Sequence, residues 1–112
     1  MNKQTGKLLL LAEVLPAFSA ELRQLLVEQG EPELASQVSA LTIFDRCRCG
    51  DDICCSTFYT QPKASFGQRP RNIRLYPSDG AFLVLDVLGG KIACVELLDR
   101  PQVREKLLAA VP

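Results

Sequence analysis

Apolar positions in the first forty residues recur at the three- and four-residue spacing of amphipathic helices. A helix is predicted between Ser19, a suitable N-cap, and Gly30, a suitable end. One face of this helix carries Leu22, Leu25, Leu26 and Gln29. A second short helix is predicted after Pro32, because proline fits the first turn of a helix. Residues 7–15 fit either a helix broken at Pro16 or a buried strand.

From residue 41 onward the pattern changes to short extended runs with turn residues between them. The clearest runs are 81–88 and 91–98, which flank Gly89-Gly90. Two apolar runs joined by two glycines predict a β-hairpin, because the tight hairpin turns need positive φ. Earlier strands are predicted at 41–49, 53–60 and 72–76.

The chain closes with a helix that Asp99 can cap and Pro101 can begin. The order of elements predicts an α+β fold: N-terminal helices, then a five-strand antiparallel meander, then a C-terminal helix. The length of 112 residues fits a single domain over 1–112, and a hydrophobic content of 47% suffices for a core.

The last predicted hairpin is apolar on both faces, which bears on possible partners. Strict alternation gives one face Leu83, Leu85, Val87, Ile92 and Cys94, and the other Phe82, Val84, Val95 and Leu97. If helices cover one face, either the terminal helix or a second protein surface must cover the other. The leading prediction is therefore a non-catalytic protein that acts by protein–protein interaction, as a homodimer or with another partner.

Charge is balanced overall and uneven along the chain. Thirteen basic residues match thirteen acidic ones, which gives no general attraction to nucleic acid or membrane. Residues 46–74 form a basic band with six basic and two acidic residues. A candidate interaction face combines arginines and aromatics of this region: Arg46, Arg48, Tyr59, Arg74 and Tyr76. Such a face can bind single-stranded nucleic acid or an acidic protein, but a solvated, internally paired face is the favoured interpretation.

The chain has no histidine, and this narrows its chemistry. Ser-His-Asp and Cys-His catalytic arrangements and all histidine-bearing metal motifs are excluded. No glycine-rich nucleotide-binding motif is present either. Catalysis is therefore disfavoured, and no cofactor is expected apart from the zinc alternative that the cysteines raise.

Four of the five cysteines fall within ten residues, as Cys-x-Cys-x₄-Cys-Cys from Cys47 to Cys55. A hairpin over Asp51-Asp52 would set Cys49 opposite Cys54 and Asp45 opposite Phe58. Alternation then points Cys47, Cys49 and Cys54 inward and Cys55 outward. The favoured interpretation is that the three inward thiols pack as small hydrophobic residues beneath the helices.

Two chemical alternatives for the cysteines remain open. Cys47, Cys49, Cys54 and Cys55 can hold Zn²⁺ or an iron–sulfur cluster, although adjacent cysteines on a strand diverge, so Cys54 and Cys55 need an irregular loop to share a metal. Alternatively, Cys49 and Cys54 form a reversible cross-strand disulfide, with Arg46 and Arg48 favouring thiolate. The hairpin would then be a structural zinc module or a thiol-redox module.

The cysteines and the hydropathy of the chain together predict a cytoplasmic protein. Five cysteines cannot all pair within one chain, and reduced thiols are typical of the cytoplasm. No segment approaches the ~20 apolar residues of a membrane span. The leucine run at 8–11 is cut short by Glu13 and does not resemble a signal peptide closely.

The run 45–54, followed by Thr57-Phe58-Tyr59-Thr60, resembles a pattern in small uncharacterised bacterial proteins of about this length. The closing segments 85–87 and 95–98 are similar in the same group. The resemblance covers most of residues 41–100 and implies a bacterial cytoplasmic protein. It implies no activity and transfers no functional residue.

Overall fold

The computed structural model describes residues 9–62 and 69–112. Its helices are α1 (Leu11–Val14), α2 (Pro16–Glu28), α3 (Pro32–Gln37) and α4 (Pro101–Ala110), with short 3₁₀ turns at Val38–Ala40 and Cys54–Ser56. Its strands are β1 (Asp45–Arg46), β2 (Phe58–Tyr59), β3 (Arg71–Leu75), β4 (Leu83–Leu88) and β5 (Lys91–Leu97). Within the described residues no helix is long and apolar enough to cross a bilayer. The predicted α+β class is confirmed.

The five strands form one antiparallel sheet in the order β1-β2-β5-β4-β3. The five-strand sheet, the β4–β5 hairpin and the terminal helix match the prediction. The strand order departs from a simple meander because β2 pairs with β5, leaving β3 at the far edge. This arrangement puts β5, which is buried along most of its length, at the centre of the sheet.

In the described part of the ambiguous N-terminal segment, helix α1 forms from Leu11, and one isolated bridge precedes it in place of the predicted buried strand. Leu10 forms a single antiparallel bridge with Thr42, and the chain then turns directly into α1. The Leu11 N–H donates to the Leu41 carbonyl, and the Ile43 N–H donates to the Leu9 carbonyl. Residues 7 and 8 of this prediction lie outside the described part of the chain.

The helices and one face of the sheet share a single core. The sheet contributes fully buried side chains from its central strands, Leu83, Leu85, Val95 and Leu97. The helices contribute Leu11, Leu22, Leu26 and Leu107, which are equally buried. Phe18 of α2 meets Phe58 of β2 edge-on, with ring centroids 6.1 Å apart. The Phe18–Phe58 contact places β2 beneath α2. Helix α4 joins this same core through its buried residues.

The predicted second apolar face is wrong, because a bulge shifts the phase of β5. Asp86 pairs with Cys94 while Val87 pairs with Ile92, so Ala93 is the extra residue. An extra residue reverses the face of every residue beyond it. Val95 and Leu97 therefore join the core face. The opposite face of the hairpin carries Val84, Asp86, Leu88, Cys94 and Glu96, a mixed polar and apolar set, and the homodimer stays a prediction.

Glu96 and Asp86 are neighbours on this opposite face, and burial followed by the adjacent Asp86 carboxylate raises the pKa of Glu96. A carboxyl with a raised folded-state pKa stabilises the fold below its unfolded pKa, and this contribution is lost as pH rises through the folded value. Glu96→Gln should therefore raise stability at pH 7 by roughly 0.5 kcal/mol. Urea unfolding at pH 7 and pH 4 checks this.

The gain from Glu96→Gln should disappear at the lower pH, where the wild-type carboxyl is protonated. Glu105→Gln on the exposed side of α4 is the control and should change stability little at either pH. A gain of equal size at pH 7 and pH 4 would contradict the carboxyl-pair explanation.

Candidate metal centre

The cysteines lie in an irregular loop, residues 47–57, that leaves the sheet after β1 and returns at β2. The predicted strands 41–49 and 53–60 shorten to two paired residues each, Asp45 opposite Tyr59 and Arg46 opposite Phe58. This register differs by one residue from the predicted one. The Cys47 N–H donates to the Thr57 carbonyl at 3.0 Å, after which the regular ladder stops.

Two local turns fold the loop back on itself. Gly50 has φ +82°, a left-handed conformation that glycine adopts without steric cost. The Asp51 carboxylate then accepts the Ile53 N–H at 2.8 Å, and its carbonyl accepts the Cys55 N–H at 3.1 Å. The 3₁₀ turn Cys54–Ser56 follows directly. Asp51 thus acts as the turn residue that its type predicts.

The two turns bring four sulfur atoms together. Cys47 Sγ lies 3.4 Å from Cys49 Sγ and 3.6 Å from Cys54 Sγ, and Cys49 Sγ lies 4.0 Å from Cys55 Sγ. All four sulfurs are within 4.8 Å of one another. Four thiolates bound tetrahedrally at about 2.3 Å from one zinc ion would be separated by roughly 3.8 Å. The Cys47–Cys49, Cys47–Cys54 and Cys49–Cys55 separations are close to that value, while the Cys49 and Cys54 sulfurs are in closer contact.

The same loop also brings together Cys49 and Cys54, the pair predicted to form a disulfide. The sulfurs of Cys49 and Cys54 are in contact, but the Cα atoms of these residues are 7.7 Å apart. Disulfides span Cα separations of about 4.4–6.8 Å, and wider pairs need backbone movement to be bridged. The sulfur contact fits the predicted disulfide, whereas the backbone spacing is wider than that of a relaxed one, so the disulfide and the shared metal both stay predictions.

The predicted orientation of the cysteines is wrong. Cys55 is the buried one, at 7% exposure, whereas Cys49 is exposed and Cys47 and Cys54 are intermediate. In a 3₁₀ turn, successive side chains differ by about 120° rather than the 180° of a strand. Cys54 and Cys55 can therefore face one centre. An irregular loop of this kind is what the two adjacent cysteines need in order to share a metal. The packing interpretation fails for the three cysteines expected to point inward.

Ser56 and Thr57 attach the end of the loop to the rest of the fold, and no sequence pattern indicates their roles. The buried Ser56 hydroxyl donates to the Arg100 carbonyl and accepts the Arg100 N–H, both at 3.0 Å. The Thr57 hydroxyl donates to the Leu97 carbonyl at 3.2 Å and accepts the Leu97 N–H at 3.1 Å. These side chains replace backbone pairing between the loop and the end of β5.

Three arginines surround the sulfur cluster. Arg46 donates to the carbonyls of Val111 and Cys47, and Arg48 pairs with Asp45 at 2.9 Å. Arg104 of α4 pairs with Asp52 at 3.3 Å. The three guanidinium groups line an open cavity of about 230 Å³, together with Gly50, Asp52, Cys55 and Leu108. A divalent ion with four thiolates carries a net charge of −2, which these cations partly balance.

The backbone also supports an anionic sulfur. The Asp51 N–H points at Cys49 Sγ, with the nitrogen 3.4 Å from the sulfur. A hydrogen bond to the charged form of a group favours that form, and hydrogen bonds around metal ligands orient them. This contact arises directly from the left-handed turn at Gly50.

The predicted interaction residues do not form one surface. Arg46 is on the core face of β1 opposite Phe58, whereas Tyr59 is on the other face. Arg74 shares the face of Tyr59 but lies on β3, beyond β5 and β4. Its guanidinium stacks over the rings of Tyr76, at 5.2 Å, and Phe82, at 4.7 Å. Arg46 and Arg48 belong instead to the surroundings of the cysteines.

No family model matches this chain, and no curated protein or solved structure matches it significantly. The resemblance of the 45–54 run to small bacterial proteins therefore stays a prediction. Bacterial origin, a cytoplasmic location and nucleic-acid binding stay predictions as well.

Proposed function

We propose that the protein is a structural zinc module in which Cys47, Cys49, Cys54 and Cys55 bind one Zn²⁺. The observation that carries this proposal is the set of four sulfurs within 4.8 Å of one another. Tetrahedral Cys₄ sites are a common structural form of zinc, and zinc accepts this geometry without electronic preference. Four protein ligands leave no open position for a substrate, which agrees with a non-catalytic role.

The size of the cluster favours one metal ion over an iron–sulfur cluster. An iron–sulfur cluster places several irons and bridging sulfides between its cysteines. The four sulfurs lie within 4.8 Å of one another, which leaves no room for several irons and bridging sulfides between them. Soft thiolate ligands select zinc among the common divalent ions, while magnesium and calcium prefer oxygen.

Zinc in this position would crosslink the loop to itself and so hold the surface that the loop presents to α4. The loop contacts α4 and its N-terminal residue through Asp52 with Arg104 and Ser56 with Arg100. The Asp99 N–H also donates to the Ile53 carbonyl at 2.7 Å. A crosslink at the four sulfurs therefore stabilises the whole layer formed by the loop and α4. The module would then act through the surface that the loop and α4 expose to other molecules.

Metal analysis tests the proposal directly. Protein purified under reducing conditions without chelator should contain one zinc per chain by inductively coupled plasma mass spectrometry. Cobalt substitution should give the visible absorption of a tetrahedral tetrathiolate. Cys55→Ser should weaken zinc binding at least tenfold.

The matched control is Cys94→Ser, because Cys94 is equally buried but lies in β5 outside the cluster. This variant should keep a full equivalent of zinc. Reduced protein that binds no zinc or cobalt at micromolar metal would remove the proposal. Metal loss from Cys94→Ser equal to that from Cys55→Ser would do the same.

A further inference from the structure

The cysteine cluster is asymmetric in exposure, and this asymmetry bears on regulation. Cys49 is exposed, Cys47 and Cys54 are half-buried and Cys55 is buried. A solvent-borne oxidant therefore meets Cys49 first, because susceptibility of cysteines to oxidation follows thiolate character and access. Zinc-bound cysteines are thiolates, so exposure distinguishes the four.

Cys54 is the best-placed partner for an oxidised Cys49. The two sulfurs are in contact, and four residues lie between the two cysteines, which leaves the intervening turn free to adjust. Cys47 Sγ is 3.4 Å from Cys49 Sγ, but only one residue lies between these cysteines. Cys55 Sγ is further away, at 4.0 Å, and its side chain is buried.

Resting on the proposed function, we propose that the zinc centre is a peroxide-sensitive switch in which oxidation joins Cys49 to Cys54 and releases the metal. The Cys49 thiolate attacks a peroxide oxygen, breaks the O–O bond and becomes a sulfenic acid as hydroxide leaves. The Cys54 thiolate then attacks that sulfur, forming the S–S bond and displacing a second hydroxide. Two thiolates lose two electrons, and hydrogen peroxide with two protons becomes two waters.

Zinc loses half of its ligands in this reaction and departs as Zn²⁺. The change extends into the fold because the Cα atoms of Cys49 and Cys54 are 7.7 Å apart, wider than the span of relaxed disulfides. The backbone of the loop must therefore move to complete the bond. Asp52 and Ser56 connect that movement to Arg104 and Arg100 at the start of α4.

The test uses the zinc-loaded full chain titrated with hydrogen peroxide, with a chelating dye to measure released zinc. We expect one zinc released for each disulfide formed, and full rebinding after addition of a thiol reductant. Cleavage after Arg48 and before Asp51 places Cys47 and Cys49 on peptides separate from Cys54 and Cys55. Mass spectrometry with fragmentation should then identify a Cys49–Cys54 link. Cys94→Ser is the control and should respond as the wild type does.

Two results would overturn the inference. One is zinc that stays bound in a large excess of peroxide, and the other is a disulfide that joins any other pair of cysteines. Both differ from failure of the proposed function, in which the reduced protein holds no zinc before any peroxide is added. Mapping the link in the wild-type chain also avoids a Cys49 variant, which would lack one of the four proposed zinc ligands.

Discussion

Removing zinc from the loaded protein should lower its free energy of unfolding by about 4 kcal/mol, if free zinc had been a thousandfold above its Kd. Metal that binds only the folded state contributes its binding free energy to stability. For a domain of about a hundred residues the loss corresponds to a fall in Tm of roughly 15 °C. Calorimetry of the same sample before and after chelation measures it.

Removing zinc should destabilise the loop and α4 before it destabilises the rest of the fold. The core of α2 and the central strands contains no cluster cysteine, whereas all four sulfurs lie in the loop 47–57, which contacts the start of α4 through Asp52 and Ser56. Hydrogen exchange should therefore accelerate in the loop and in α4 after chelation and stay slow in β4 and β5. An unchanged Tm after complete metal removal would exclude a stabilising role for the ion.

Replacing Arg100 by alanine should destabilise the fold by about 2 kcal/mol. Its guanidinium is 14% exposed and binds Glu21 of α2 through two bonds of 2.9 Å, and its Nε binds Asp79 at 2.9 Å. Removing the cation leaves the partly buried Glu21 carboxylate without its partner, which costs more than the attraction itself contributes. Urea unfolding of Arg100→Ala against the wild type measures the effect.

The matched control is Arg71→Ala. Arg71 also pairs with a glutamate, Glu31, but at 3.3 Å and with 58% of its side chain exposed, so its loss should cost less than about 1 kcal/mol. Equal losses from the two variants would show that partial burial of Arg100 contributes nothing.

The cost of Arg100→Ala should also depend on pH. The hydrogen bond from Arg100 is the largest influence that lowers the pKa of Asp79. A carboxylate with a depressed folded-state pKa stabilises the fold above its unfolded pKa, near 3.9, and this contribution is lost as pH falls through the folded value. The penalty measured at pH 7 should therefore shrink in strongly acidic buffer.

The parts of the fold that follow from local patterns could be predicted, and the parts set by single extra residues could not. Gly89-Gly90 specified the last hairpin, and Pro101 specified the start of α4. The bulge at Ala93 has no pattern of its own, since its neighbours Ile92, Cys94 and Val95 are all apolar. Its effect was to invert the predicted faces beyond it.

The cysteine residues could be predicted from the sequence, but their orientations could not. Composition and spacing identified Cys47, Cys49, Cys54 and Cys55 as candidates, but alternation along ideal strands gave the wrong orientations. The 3₁₀ turn at Cys54–Ser56 depends on Asp51 as a turn residue and on tertiary bonds from Ser56, which no local pattern contains.

The two edges of the sheet also bear on self-assembly. At one edge β1 is only two residues long, so it offers few unpaired backbone groups to another strand. At the other edge, Pro70 and Pro77 flank β3, whose exposed side chains include Arg71 and Arg74. Short strands, prolines and edge charges all oppose strand addition and amyloid-like stacking. Both edges of the sheet are therefore protected against edge-to-edge aggregation. Copies of the chain should not associate by adding strands to this sheet.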